Sequence, residues 1–236
     1  MSRITTLLFD VFETLLVNRR WQWDATFEAV CRNQGLPIDP ERLHREWRAH
    51  EHAFRETRVN LEDPSASPPF RSYYEAWRDC FRLAFGSLDL PGDADAATRT
   101  VVQALTEREP YADALEALPS IKAKWRTGIL SNADDVFLYP PLQHHDLRFE
   151  VVLSSEEARV YKPHPAAFRR ALELLGADAS ETVYVGDSPH DDILGAKLAG
   201  MRVAWLNRDG RPPTDSLPAP DYEIHKLTEL MPALGG

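Results

Sequence analysis

Four short stretches of this chain carry side chains that could do chemistry together. Asp10 follows the apolar run Ile4-Thr5-Thr6-Leu7-Leu8-Phe9 and is followed by Val11, Phe12, Glu13 and Thr14. Ser131-Asn132, Lys162-Pro163 and Gly186-Asp187-Ser188-Pro189-His190-Asp191-Asp192 are the other three. A carboxylate such as Asp10 can attack phosphorus or carbon and form a covalent aspartyl intermediate that water later resolves. Asp187 and Asp192 bring more negative charge than an apolar sheet edge tolerates unpaired. With Asp10 they form a hard oxygen set suited to Mg2+, which would neutralise the attacking acid and a substrate's phosphoryl oxygens together. Lys162 is an ammonium able to offset these acids and bind phosphate. Thr14 and Ser131 are short donors able to orient a nucleophile or a phosphoryl oxygen. Each stretch also has a plainer reading. Acids at a helix N-terminus are favoured by the macrodipole, which accounts for Asp191 better than for Asp187, while a lone Lys-Pro or Ser-Asn is usually a turn or loop.

Four short apolar segments precede these residues: Ile4 to Phe9, Thr127 to Leu130, Val151 to Leu153 and Thr182 to Val185. Each has the length and content of a buried strand. If they form one parallel sheet, their tips meet at its carboxyl edge, where ligands bind in such sheets. Asp10, Ser131, Lys162 and Asp187 would then share a pocket.

In these motifs, and in their order, the chain resembles the haloacid dehalogenase superfamily of hydrolases. The match runs through Asp10-x-Phe12-x-Thr14-Leu15, Ser131-Asn132, Lys162-Pro163 and Gly186-Asp187-Ser188-x-x-x-Asp192, and continues to Met201. It covers the first sixteen residues and most of the chain after about Tyr111. The resemblance implies a Rossmann-like α/β core, with Asp10 as nucleophile and with Thr14, Ser131, Asn132 and Lys162 in catalytic or substrate-binding roles. It also implies Mg2+ held by Asp10, the Phe12 backbone carbonyl and Asp187, with Asp192 holding a metal-bound water.

Residues 17–108 differ in texture, being rich in aromatics and arginine without strand-like runs. Helices are expected from Trp23 to Gln34, from Asp39-Pro40-Glu41 onward with proline at the first helical position, from Tyr73 to Phe85 and from Ala96 to Arg108. Together they make an inserted helical cap, expected to close over the site and select the substrate, with residues 1–16 and 109–236 as the discontinuous core. Trp21, Trp23, Trp47 and Trp77 suit the centre of a helical bundle, and Trp21 or Trp23 could instead face substrate. After Tyr111 helix and strand alternate: helices at Asp113 to Lys124, Pro165 to Leu175 and about Asp191 to Gly200, a strand at Arg202 to Leu206 and a short edge strand at Tyr222 to Ile224. His144-His145 reads as solvated loop, whereas His190, inside the fourth motif, could reach substrate.

The chain has 236 residues, of which 43% are hydrophobic and 27% charged, as in ordinary globular proteins. A net charge of -10 argues against a general binder of nucleic acid or anionic membranes and leaves a small phosphorylated metabolite as the expected partner. Two cysteines imply no disulfide framework. No membrane-spanning run or signal-peptide pattern is visible, so a cytoplasmic location is expected.

One residue departs from the phosphatase pattern. In the resembling phosphatases the position two after the nucleophile is usually an aspartate that protonates the leaving group, a role worth about 10²–10⁴-fold in rate. Here it is Phe12. Three readings follow. The first is a Mg2+-dependent phosphatase using a good leaving group, or a proton from Glu13, His190 or the substrate. The second is a 2-haloacid dehalogenase, which carries an aromatic at this position and releases halide without a proton. The third is a catalytically weak binding protein. The dehalogenases use no Mg2+, have serine and asparagine where this chain has Asp187 and Pro189, and tend to have tyrosine where it has Phe168. The fourth motif therefore favours the phosphatase.

Overall fold

A computed structural model describes residues 3–235. The chain divides into two compact units: a core of 1–17, 109–132 and 145–236, and a helical unit of 18–108 and 133–144.

The core is built on a six-stranded, wholly parallel sheet. Its strands are β1 (Thr6–Phe9), β2 (Arg126–Ser131), β3 (Val151–Ser154), β4 (Thr182–Gly186), β5 (Arg202–Leu206) and β6 (Tyr222–Ile224), in the spatial order β3-β2-β1-β4-β5-β6. β1 is central because it is apolar on both faces. Its four residues are all buried, as a strand covered on both sides requires. Leu8, Leu130, Tyr184, Val203 and Trp205 form one buried cluster with Phe168, Leu172 and Leu175. By strand alternation Leu7, Phe9, Ile129, Val183 and Val185, all fully buried, face the other side. The strand order reverses between β1 and β4, and in open α/β sheets ligands bind beyond the carboxyl ends at such a switch point. Asp10 and Asp187 are the first residues past those two ends.

In the helical unit α1 (Arg20–Gln34), α2 (Pro40–Thr57), α3 (Tyr73–Ser87) and α4 (Ala94–Thr106) follow in order. Asp39, Ser72 and Asp93 cap the last three with their side chains, satisfying otherwise orphaned amides. α1 starts three residues before Trp23, after an arginine that no capping pattern would flag. In the core, α5 (Ala112–Lys124) leads into β2. α6 (Asp135–His144) belongs to the helical unit, although the sequence reading gives 133–144 to the core. Its anchoring explains why. The buried Asp134 carboxylate accepts the amides of Tyr73 at 2.8 Å and Tyr74 at 2.7 Å, capping α3 from a distant part of the chain. Phe137 stacks on Trp77 with centroids 5.3 Å apart. Trp47 packs among Phe27, Phe81 and Trp77, and Trp23 stacks on Trp47. Trp23, Trp47 and Trp77 are thus packing residues of this unit, and Trp21 is exposed.

The rest of the core comprises the single turn α7 (Ser155–Ala158), α8 (Pro165–Leu175), the single turn α9 (Gly195–Leu198) and the terminal turn α10 (Leu230–Ala233). No helix among the described residues is long and apolar enough to cross a membrane. His144 ends α6 instead of lying in a loop, and the half-buried His145 lies 3.5 Å from Glu109.

Candidate active site

Asp10 leaves β1 with its amide still bonded to the Val185 carbonyl at 2.9 Å, so its position is inherited from the sheet. It is 8% exposed. Its Oδ1 accepts the Ser131 hydroxyl at 2.8 Å and the Lys162 ammonium at 2.9 Å, and Oδ2 takes part in neither contact. Beyond it the chain folds tightly, and the amides of Leu15 and Leu16 converge on the Val11 carbonyl at 2.8 and 2.9 Å. Glu13 takes a left-handed backbone conformation, φ +65°, which costs a non-glycine residue about 1–2 kcal/mol. Thr14 is fully buried here, and its hydroxyl has no partner among the described residues.

Lys162 is buried, and its Nζ lies 2.7 Å from both Asp192 Oδ1 and the Tyr184 hydroxyl. Burial works against its charge, but the carboxylates of Asp10 and Asp192 outweigh it and hold the ammonium protonated well above the ordinary lysine range. Asn132 fixes the lysine backbone from both sides: Oδ1 accepts the Lys162 amide at 2.8 Å and Nδ2 donates to the Lys162 carbonyl at 3.0 Å. Its amide also donates to Asp191 at 3.1 Å. The side chain of Asn132 therefore orders Lys162 and the fourth motif.

The fourth motif is a wide turn and not the α-helix expected from Asp191. Ser188 accepts the Asp191 amide on its side chain, and the Ser188 carbonyl accepts the amides of both Asp192 and Ile193. Such widened turns concentrate at functional sites. Asp192 is fully buried, with Oδ2 accepting the Ser188 amide at 2.9 Å. It lies against Gly186 so closely that a Cβ there would come within 2.3 Å of its carboxylate, so only glycine fits at the end of β4. Asp187 is part-buried; its carbonyl accepts Trp205 Nε1 and Arg211 Nη2, and its Oδ2 stands 3.6 Å from Arg211.

Asp10, Asp187 and Asp192 present carboxylate oxygens within 4.8 Å of one another. Burial, then the Asp192 and Asp10 charges, push the Asp187 carboxyl well above the usual carboxylate range, with Arg211 opposing. Burial likewise pushes Asp192 up to about 6, against the pull of Lys162. Lys162 contacts Asp10 and Asp192, and the half-exposed Arg211 is the cation beside Asp187. An acidic oxygen set so poorly balanced, beside an unpartnered buried hydroxyl, fits a hard divalent cation.

Of the expected proton sources, Glu13 accepts the Tyr111 hydroxyl at 3.0 Å and the exposed His190 pairs with Asp191 at 3.0 Å. Sequence reading missed Tyr184. Its hydroxyl receives the Lys162 ammonium and donates to the Leu130 carbonyl at 2.7 Å, while its ring packs edge-on against Phe168. A tyrosine inside a buried strand signals such a partner, because its hydroxyl must be satisfied there.

The model of haloacid dehalogenase-like hydrolases matches residues 4–200. The chain belongs to that family. Among haloacid dehalogenase-like hydrolases, the (S)-2-haloacid dehalogenase 4A of Burkholderia cepacia is 26% identical over 99% of this chain and 96% of its own. The pyrimidine 5'-nucleotidase YjjG of Escherichia coli is 30% identical over 66% of this chain and 67% of its own. The hydrolase YfnB from Bacillus subtilis, solved bound to magnesium, shares the fold with a TM-score of 0.80 at 24% identity, with both chains covered in full. Relatives of this chain thus include both dehalogenases and phosphate-releasing enzymes.

Proposed function

We propose that this chain is a Mg2+-dependent phosphohydrolase that uses Asp10 as its nucleophile on a small phosphorylated metabolite. The observation that carries this reading is Asp187, a third carboxylate within 4.8 Å of Asp10 and Asp192, beside which the half-exposed Arg211 stands 3.6 Å away. Bound Mg2+ would be held by Asp10, the Phe12 carbonyl and Asp187, with Asp192 behind, and would supply charge neutralisation at the phosphoryl group.

Asp10 attacks phosphorus through Oδ2, and the bond to the leaving oxygen breaks with its electron pair. Water then opens the aspartyl phosphate and restores the carboxylate. Ser131 and Lys162 hold Oδ1 and so fix the direction of attack. The Thr14 hydroxyl is left to donate to a phosphoryl oxygen. Phe12 supplies no proton, so the favoured substrates have a leaving group that carries its own charge, such as an acyl or aryl phosphate or a phosphoanhydride.

A second reading, dehalogenation, draws support from Phe12 and from the dehalogenase that matches this chain along its length. Against it stand Asp187 and the absence of a hydroxyl at Phe168. Parallel assays separate the two, with phosphate release from a metabolite panel and an aryl phosphate, halide release from 2-haloacids, and Asp10→Asn as control. Mg2+-dependent phosphate release that the substitution abolishes supports the first reading. Metal-independent halide release replaces it with the second.

A further inference from the structure

Arg208, in the loop after β5, belongs to none of the four motifs, yet its planar fork is fully committed behind the nucleophile loop. Nε donates to the Glu13 carbonyl at 3.2 Å and Nη2 to the Thr14 carbonyl at 2.8 Å. Nη1 donates to both oxygens of Asp113, at 3.0 and 2.9 Å. The guanidinium lies 3.7 Å above the Tyr111 ring, and the Tyr111 hydroxyl in turn donates to the Glu13 side chain. Asp113 is held at the start of α5 and also accepts the Leu227 amide at 2.6 Å. The Arg208 side chain is 10% exposed. One side chain therefore grips two consecutive carbonyls of the loop that carries Asp10, Phe12 and Thr14, at the residue whose backbone is in the left-handed region, and ties them to a rigid helix terminus.

We propose that Arg208 is a positioning residue for hydrolysis. By holding the Glu13 and Thr14 carbonyls it sets the path of residues 10–14, and with it the aim of the Asp10 carboxylate, the Phe12 carbonyl and the Thr14 hydroxyl. The proposal rests on Asp10 being the nucleophile and holds for phosphoryl and haloacid substrates alike. Lysine cannot replace the arginine, because one ammonium on a flexible stem cannot span two carbonyls and a bidentate carboxylate.

The test compares wild type, Arg208→Lys and Asp113→Asn by steady-state kinetics on whichever aryl phosphate or 2-haloacid the wild type turns over. Amide hydrogen exchange of the segment 10–17 is measured alongside. Arg208→Lys is expected to lower kcat by about 10–100-fold, the scale of a small misalignment of reacting groups, with KM little changed and faster exchange confined to residues 10–17. Asp113→Asn should move both readouts the same way and less far. Unchanged exchange and unchanged kcat in Arg208→Lys would overturn the proposal, as would a loss of protection spread evenly over the core. If the wild type turns over neither substrate, the proposed function fails by itself, and the exchange measurement still decides whether Arg208 orders the loop.

Discussion

Replacing Asp187 with asparagine should have opposite effects on stability and on metal binding. The oxygens of Asp10, Asp187 and Asp192 lie within 4.8 Å, and two unit charges at that separation repel by about 3.5 kcal/mol at an effective dielectric of about 20. Proton uptake caps the total. Starting from an ordinary value of 3.8, an acid held ionised near pH 7.5 costs at most about 5 kcal/mol before it protonates. Arg211, 3.6 Å from the carboxylate and itself half-exposed, offsets part of this. Asp187→Asn is therefore expected to stabilise the metal-free protein by about 2–3 kcal/mol, raising Tm by about 4–12 °C for a chain of this size. In wild type, Mg2+ at a hundred times its Kd should add about 2.7 kcal/mol, and in the variant almost nothing. Thermal unfolding in EDTA and in Mg2+ reads both effects. A variant less stable than wild type in EDTA, or one that Mg2+ stabilises as fully as wild type, would refute the reasoning.

Other perturbations test neighbouring parts of the site. Lys162→Met leaves the buried Asp10 and Asp192 carboxylates without the ammonium they share, and should destabilise the metal-free protein by about 3–5 kcal/mol in denaturant titrations while abolishing turnover. The pH dependence has a defined sign. Burial raises Asp192 from 3.8 to about 6 in the folded protein, so the native state holds its proton more tightly than the unfolded chain. That group's contribution to metal-free stability therefore falls as pH rises from about 4 through about 6, by about 3 kcal/mol if it acts alone; Mg2+, which displaces the proton, should stabilise more at pH 7.5 than at pH 5, as differential scanning calorimetry would show. Phe12→Asp supplies the missing proton-transfer group and should speed hydrolysis of unactivated phosphate esters by about 10²-fold or more, with a smaller gain on aryl phosphates; equal gains on both would contradict the role assigned to position 12.

Much of the core was legible because its strands are apolar on both faces and stop at polar residues. Phe9 to Asp10 and Val185 to Asp187 mark the ends of β1 and β4 and hence the switch point between them. The strand ends placed Asp10, Ser131, Lys162 and Asp187 together, and in the structure Ser131 and Lys162 both contact Asp10 while Asp187 lies within 4.8 Å of it. What escaped lay where no period or motif speaks. α6 carries Pro140 and Pro141 in its interior, which argues against a helix locally, and its attachment through Asp134 and Phe137 is tertiary. The Asp191 segment is polar enough to start a helix, but the Ser188 side chain takes the Asp191 amide and its carbonyl takes those of Asp192 and Ile193, which widens the turn. Arg208 and Arg211 lie around a proline-rich loop, and only the folded sheet brings them beside Glu13 and Asp187. Asn132 also holds the lysine backbone through its side-chain amide, a tertiary contact that no motif signals.

The most direct test of the central claim is acid quenching of the enzyme during turnover of an aryl phosphate in Mg2+, followed by mass analysis of the peptide that contains Asp10. A transient phosphoryl group is expected on Asp10, formed only with Mg2+ and absent in Asp10→Asn. Phosphate release with Asp10 unmodified throughout, or an ester on Asp10 formed only from a 2-haloacid, would contradict it.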